Sequence, residues 1–164
     1  MTVLATDRLT LRRMKMDDWP AYRDFYASSA AAFVSGPADE KTAWRMFSGQ
    51  AGHWPLMGFG WFMLESASGP VGTCGLHHPP YQADLEIGWL TFEMAQGKGY
   101  ATEAARAVLE WAPTVTSAPR IVSYIESGNG PSKRVAEKLG ARFDGEMAAH
   151  NPACEVWVHA GAAA

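Results

Sequence analysis

Cysteine is nearly missing from this chain. Cys74 and Cys154 are the two it has. They form no C-x-x-C pair, which argues against a redox dithiol or a thiolate zinc site and leaves two reduced thiols as the expectation. No apolar run approaches the ~20 residues that a membrane-spanning helix needs. Met1 to Arg13 mixes polar and apolar residues without the apolar core of a secretory signal, so the expected location is the cytoplasm. An excess of positive charge is absent too. A net charge of -3 offers no field to attract nucleic acid or an anionic membrane, and neither is expected as a partner. Any anionic ligand must be held by local features. Internal repeats are lacking, and the only low-complexity segment is the terminal alanine tail. What remains is ordinary globular composition. With 48% hydrophobic and 19% charged residues over 164 positions, residues 1–164 are read as a single domain with a sizeable core. Seven Trp is high for this length; packing is their default use, with some rings free to line a cleft.

Patterning divides the chain into alternating elements. Strands are expected over Arg8 to Met14, Phe59 to Ser66, Val71 to Leu76 and Ala83 to Leu90, the middle two joined by the tight turn Ala67-Ser68-Gly69-Pro70. Between the first two lie two helices. One is capped by Asp17 or Asp18, with Pro20 in its first turn and Trp19, Tyr22, Phe25 and Tyr26 on one side; the other opens at Asp39 and ends near Gly49 to Gly52. A further helix begins at Tyr100. Ala101, Ala104, Ala105, Val108, Leu109 and Ala112 form its apolar stripe, Glu103, Arg106 and Glu110 are spaced for ion pairs on the other face, and Pro113 stops it. Arg120 to Glu126 is a β-branched strand, Gly128-Asn129-Gly130 a turn, and Pro131 the start of a helix that Gly140 caps. Final strands are expected at Ala141 to Met147 and Glu155 to Ala160. Early strands with short links pair antiparallel, whereas strand, helix and strand from Leu85 to Glu126 form a right-handed crossover with parallel strands.

The stretch Gln96-Gly97-Lys98-Gly99-Tyr100-Ala101-Thr102 lies where a strand gives way to a helix. Its glycines allow close backbone approach, and exposed N–H groups at a helix start form a cradle for phosphates. A P-loop needs G-x-x-x-x-G-K followed by Ser or Thr, which is absent. A dinucleotide fingerprint needs a third glycine, and Thr102 stands there instead. Coenzyme A is the remaining class, since its pyrophosphate also needs backbone donors.

On these residues the chain resembles the GNAT superfamily of acyl-CoA-dependent N-acetyltransferases. The family's pyrophosphate signature is Gln or Arg, two residues, Gly, one residue, then Gly or Ala, and Gln96 to Ala101 matches it fully. Asn129-Gly130-Pro131-Ser132 followed by Val135 to Ala141 resembles the segment after the family's fifth strand. Thr6 to Arg12 and Leu85 to Trp89 resemble the RimJ/RimL-like branch, which includes ribosomal-protein N-terminal acetyltransferases. The resemblance implies a mixed, mostly antiparallel α/β sheet of about seven strands with a central splayed parallel pair and about four helices. It implies acetyl-CoA as co-substrate and direct transfer of the acetyl group to a primary amine, without an acyl-enzyme. It leaves homodimerisation open.

Site residues follow from the same likeness. Gln96, Gly97, Lys98, Gly99, Tyr100, Ala101 and Thr102 would hold the pyrophosphate. A backbone N–H of Ile87, Gly88 or Trp89 would stabilise the thioester oxygen, with Gly88 letting the strand splay to admit the pantetheine. Asn129 would hold the pantetheine arm or tie its own turn, and Ser132 would either contact the cofactor and protonate the thiolate or merely cap its helix. Lys133 and Arg134 are further candidates for a phosphate. Glu86 is the leading general base, because strand alternation turns it away from Leu85 and Ile87. Asp84, His77 and His78 are its alternatives. A metal at the histidine pair is not expected, since adjacent side chains diverge. One departure stands out: Ala136 occupies the place where many relatives carry a tyrosine as general acid. The acceptor amine is a protein or peptide N-terminus or a small molecule. A non-catalytic acyl-CoA-binding module is the reading from a different class.

Overall fold

Hydrophobic alternation followed by an alanine-rich stripe gives this chain a meander of strands ahead of a crossover. In the computed structural model, which describes residues 2–159, β1 (Leu4–Ala5) and β2 (Thr10–Arg13) precede two helices, α1 (Trp19–Ala27) and α2 (Glu40–Met57). Strands β3 (Trp61–Ser66), β4 (Gly69–His77) and β5 (Leu85–Thr91) follow, then α3 (Tyr100–Trp111), β6 (Ile121–Glu126), α4 (Gly130–Lys138), β7 (Arg142–Ala148) and β8 (Asn151–Val158). One eight-stranded sheet runs in the order β1-β2-β3-β4-β5-β6-β8-β7. Its pairs are antiparallel except β5 with β6, which run parallel. This is the expected mixed α/β architecture with four α-helices. The strand beyond the seven expected is β1, two residues long and too short to show alternation. β8 begins earlier than expected, behind a two-residue turn at Ala149-His150. Its expected end at Ala160 and the alanine tail lie outside the described residues.

The parallel pair separates almost at once. Leu85 faces Ile121 and Glu86 faces Val122, and there the register ends. The Ser123 hydroxyl then donates to the Ile87 carbonyl at 2.7 Å, and His159 Nε2 lies 2.9 Å from the Ser123 hydroxyl oxygen. A hydroxyl has one proton, and the carbonyl takes it, so His159 is the donor in that second bond. A side chain thus replaces the ladder where β6 leaves β5. On one face of the sheet α3 packs its alanines against Leu85, Ile87 and Ile125; on the other, Tyr22, Tyr26 and Phe47 from α1 and α2 pack on Met63 and Leu90.

Two helical details differ from the sequence pattern. Asp18 does precede α1, but its carboxylate caps no N–H of that helix and instead accepts from Lys15 N at 2.9 Å in the short turn before it. It is buried and takes two 2.8 Å bonds from Arg12, whose guanidinium also reaches Glu65. Helix α2 does not stop near Gly49 to Gly52. It continues past Pro55 to Met57 and ends at Gly58, which takes the left-handed conformation at φ 78°. Trp54 is the reason. It is buried, and its indole N–H donates to the Trp61 carbonyl at 2.8 Å. Burying a large apolar side chain contributes ~1.5–3 kcal/mol, which works against the cost of the two glycines and the proline inside the helix.

Candidate active site

The phosphate turn has the geometry its glycines demand. Gly97 and Gly99 adopt φ 74° and 82°, the left-handed region that a side chain would strain. Gly99 is the N-cap of α3. Among the described residues nothing accepts a hydrogen bond from the N–H groups of residues 97 to 102. They stand as a row of donors at the positive end of a helix. The turn is braced from a distant segment. Arg8 pairs with Glu103 at 2.6 Å, donates to the Lys98 carbonyl at 2.9 Å and lies over the Tyr100 ring, while Thr6 donates to Glu103 at 2.5 Å. Glu103 therefore turns to Arg8, not to Arg106 as its helical spacing predicts.

This turn forms one wall of a cavity of about 480 Å³. Gln96, Gly97, Gly99, Tyr100, Ala101 and Thr102 line one side; Asn129, Ser132, Arg134 and Lys138 line the other. No carboxylate is among its lining residues. Donors and cations without a competing anion suit a pyrophosphate. Lys98 does not line this cavity; its carbonyl serves Arg8. Lys133 points elsewhere and pairs with Glu155 at 2.7 Å, so Arg134 and Lys138 are the cations on this side.

A second cavity of about 550 Å³ opens on the α1/α2 side of the sheet. Glu86 lies in it, half-buried, with Gln82 Nε2 donating to its carboxylate at 3.0 Å. Burial pushes the Glu86 carboxyl up to about 7, against the pull of the Gln82 bond. His77 is level with Glu86 across β4 and β5 and shares its face. Burial and the nearby His53, His78 and His150 push His77 down to about 4, so it is neutral at pH 7 and a weak base. His78 lines neither cavity, and Asp84 is paired with Arg120 at 3.6 Å. Glu86 is left as the group tuned for proton uptake near neutrality. Gly88 carries a constraint in addition to the expected one. The Trp61 indole lies over it, and a Cβ at Gly88 would run into that ring.

Trp89, Leu90, Asn129 and Ser132 line both cavities, which therefore adjoin along one wall. The loop residues Ala32, Phe33 and Val34 line both from above, and the Phe33 ring comes close enough to Gly128 that a Cβ there would lie 3.3 Å from it. Asn129 is the N-cap of α4, its Oδ1 accepting from Ser132 N at 3.2 Å. Ser132 is thus inside the helix and not its cap, and its hydroxyl bonds to no other described group. The Ile87 carbonyl points toward β6. Strand alternation directs the Trp89 N–H the same way, beyond the last β5–β6 pairing. Gly88 instead pairs toward Gly75 on β4. Ala136 is fully buried in the core and lines neither cavity. Burial pushes both cysteine thiols up, that of Cys154 with added effect from Glu126 and Glu86, so neither is a thiolate nucleophile.

Gln82 and the Ser123–His159 pair escaped the sequence reading, as did the contacts of Trp61 with Gly88 and of Arg8 with the phosphate turn. Their partners lie far away in the chain or across irregular loops, and no spacing rule links them.

A splayed parallel pair beside a donor-lined helix start is the frame of an acyl-CoA-dependent acetyltransferase. Residues 8–142 match the family model described as an acetyltransferase (GNAT) domain, and the chain belongs to that family. An acetyltransferase from Agrobacterium tumefaciens str. C58 is 36% identical, with a TM-score of 0.92 over 98% of this chain and 95% of that one. An uncharacterized N-acetyltransferase, YnaD, from Bacillus subtilis (strain 168) is 28% identical over 87% of this chain and 84% of its own. Mycobacterium smegmatis RimJ in complex with CoA-disulfide shares the fold at 21% identity, with a TM-score of 0.70 over 92% of this chain and 80% of that one. None of the described helices is long and apolar enough to cross a membrane.

Proposed function

We propose that this protein transfers the acetyl group of acetyl-CoA directly to a primary amine, with the N-terminus of a polypeptide and a small-molecule amine both within reach of the chemistry. The observation that carries this is the junction of the two cavities at Trp89, Asn129 and Ser132, with anion donors on one side and Glu86 on the other. The likeness of Thr6 to Arg12 and Leu85 to Trp89 to the RimJ/RimL-like branch keeps the polypeptide N-terminus in the acceptor set.

The free N–H groups of residues 97 to 102 hold the pyrophosphate, helped by Arg134 and Lys138, and Asn129, on the wall common to both cavities, serves the pantetheine arm. The co-substrate supplies an activated acetyl thioester. Glu86 takes one proton from the acceptor ammonium, which frees the nitrogen lone pair. The Trp89 N–H donates to the thioester oxygen as negative charge develops on it. The C–N bond forms and the C–S bond breaks. The second proton lost by nitrogen reaches the sulfur through the Ser132 hydroxyl, standing in for the tyrosine that Ala136 replaces. Glu86 returns the first proton to solvent. The products are an acetamide, CoA thiol and one proton.

A thiol-release assay with acetyl-CoA, small amines and N-terminal peptides tests this reading. Turnover with at least one acceptor class is expected, and none with any would end it. Gly99→Glu places bulk and negative charge in the cradle. Calorimetry should show CoA binding lost in that variant; unchanged affinity would remove the pyrophosphate from this turn.

A further inference from the structure

We infer that the acceptor is a primary amine carrying a second cationic nitrogen and no carboxylate, held between Glu86 and Glu126. This rests on the transferase reading above and narrows it to a substrate class.

The charges of the acceptor cavity point one way. Its lining residues include the carboxylates of Glu86 and Glu126 and no Lys or Arg. Arg120, on the same strand as Glu126, is engaged by Asp84 and Asp144 and does not line the cavity. Glu126 has no cationic partner among the described residues. The register places both carboxylates on one face. Glu86 is level with Val122, and alternation along β6 gives Val122, Tyr124 and Glu126 the same side. Four residues separate Val122 from Glu126, about 13 Å along the strand. That is the offset of the two backbone positions, and side chains leaning toward one another across it leave room for a short diamine with an ammonium on each carboxylate.

The neutral groups agree with the charges. Gln50 Oε1 and His77 Nδ1 are buried against this cavity and have no hydrogen-bond partner. Gln50 Oε1 can only accept, and a neutral imidazole can accept through one nitrogen. The Gln50 oxygen, and His77 Nδ1 in the tautomer that leaves it unprotonated, are acceptors suited to a ligand rich in N–H donors. Trp61 and Tyr124 add aromatic faces that favour a cation over an anion. A free amino acid would bring its carboxylate among carboxylates with no cation to receive it.

Three four-carbon acceptors isolate the charge: 1,4-diaminobutane, butylamine and 4-aminobutanoate. We expect kcat/KM to fall in that order, with the diamine at least tenfold above the amino acid. Glu126→Gln should bring the diamine and the monoamine close to parity. Glu126→Lys should place the amino acid above the diamine. Calorimetry in the presence of CoA should show diamine binding in the unaltered protein and none in Glu126→Lys. An amino acid acetylated as well as the diamine, or a rank order untouched by Glu126→Lys, would overturn the inference. So would a neutral tripeptide amide that outpaces the diamine, which would assign the cavity to polypeptide N-termini. Thiol release that is equal across the series sinks only this inference. Absence of CoA binding sinks the transferase reading as well.

Discussion

Glu86 shows how much one position depends on its surroundings. On an exposed strand it would be a common surface carboxylate. Here burial pushes it up to about 7, so it exchanges protons in the range where amines are acetylated. The base must be ionised to act, so kcat/KM should rise with pH through an apparent pKa near 7 and then level off. Glu86→Gln should lower kcat/KM by the 10²–10⁴-fold typical of a lost general base and remove that limb, while CoA affinity stays the same. A retained limb in the variant would assign the titration to another group. Alternation within Leu85-Glu86-Ile87 turned this residue away from its apolar neighbours onto a face shared with Asp84, and the family resemblance ranked it first. Its hydrogen-bond donor, Gln82, was not legible. It sits in an irregular segment after two prolines, where no period applies.

At the scale of elements, the sheet was legible wherever turn chemistry and period agreed, as in the hairpin of β3 and β4 and the crossover through α3. It was not legible where tertiary contacts override local preference. Two glycines and a proline argue for an early end to α2, yet Trp54 anchors the helix against the Trp61 carbonyl. Asp18 has the sequence of a cap and the structure of a buried ion pair. That difference is measurable. Asp18→Ala would remove the buried partner of the Arg12 guanidinium and leave it the more exposed Glu65, and losing one partner of a buried pair costs up to about 3–5 kcal/mol. Loss of a mere N-cap costs about 0.5–2 kcal/mol. Denaturant unfolding separates the two, and a cost in the smaller range would return Asp18 to the capping role. The bracing of the phosphate turn by Thr6 and Arg8 was hidden for a simpler reason. Both act on Glu103 across most of the chain, and a pairwise contact of that length leaves no periodic trace.

The whole molecule carries a set of buried histidines whose effect on stability has a definite sign. Burial lowers His53, His77 and His159, the last two to about 4. In the unfolded chain each would protonate below its ordinary 6.5, whereas the folded protein keeps them neutral. Their share of stability is therefore complete above pH 6.5 and is lost as pH falls toward about 4. Glu86 works in the opposite sense between 4.5 and about 7, because the fold favours its protonated form. Several histidines against one glutamate leave a net loss of stability on acidification. The melting temperature should fall from pH 7 to pH 4.5, and His159→Gln should make that fall shallower. An equal slope in the variant would show that His159 protonates freely in the folded state.

The wall common to both cavities has a kinetic consequence. Trp89, Asn129 and Ser132 bring the two binding sites together, and no thiolate waits there to store an acetyl group between visits. Both reactants must be seated at once before either product leaves. Double-reciprocal plots at several fixed acceptor concentrations should therefore intersect, and a family of parallel lines would mean that some side chain carries the acetyl group after all.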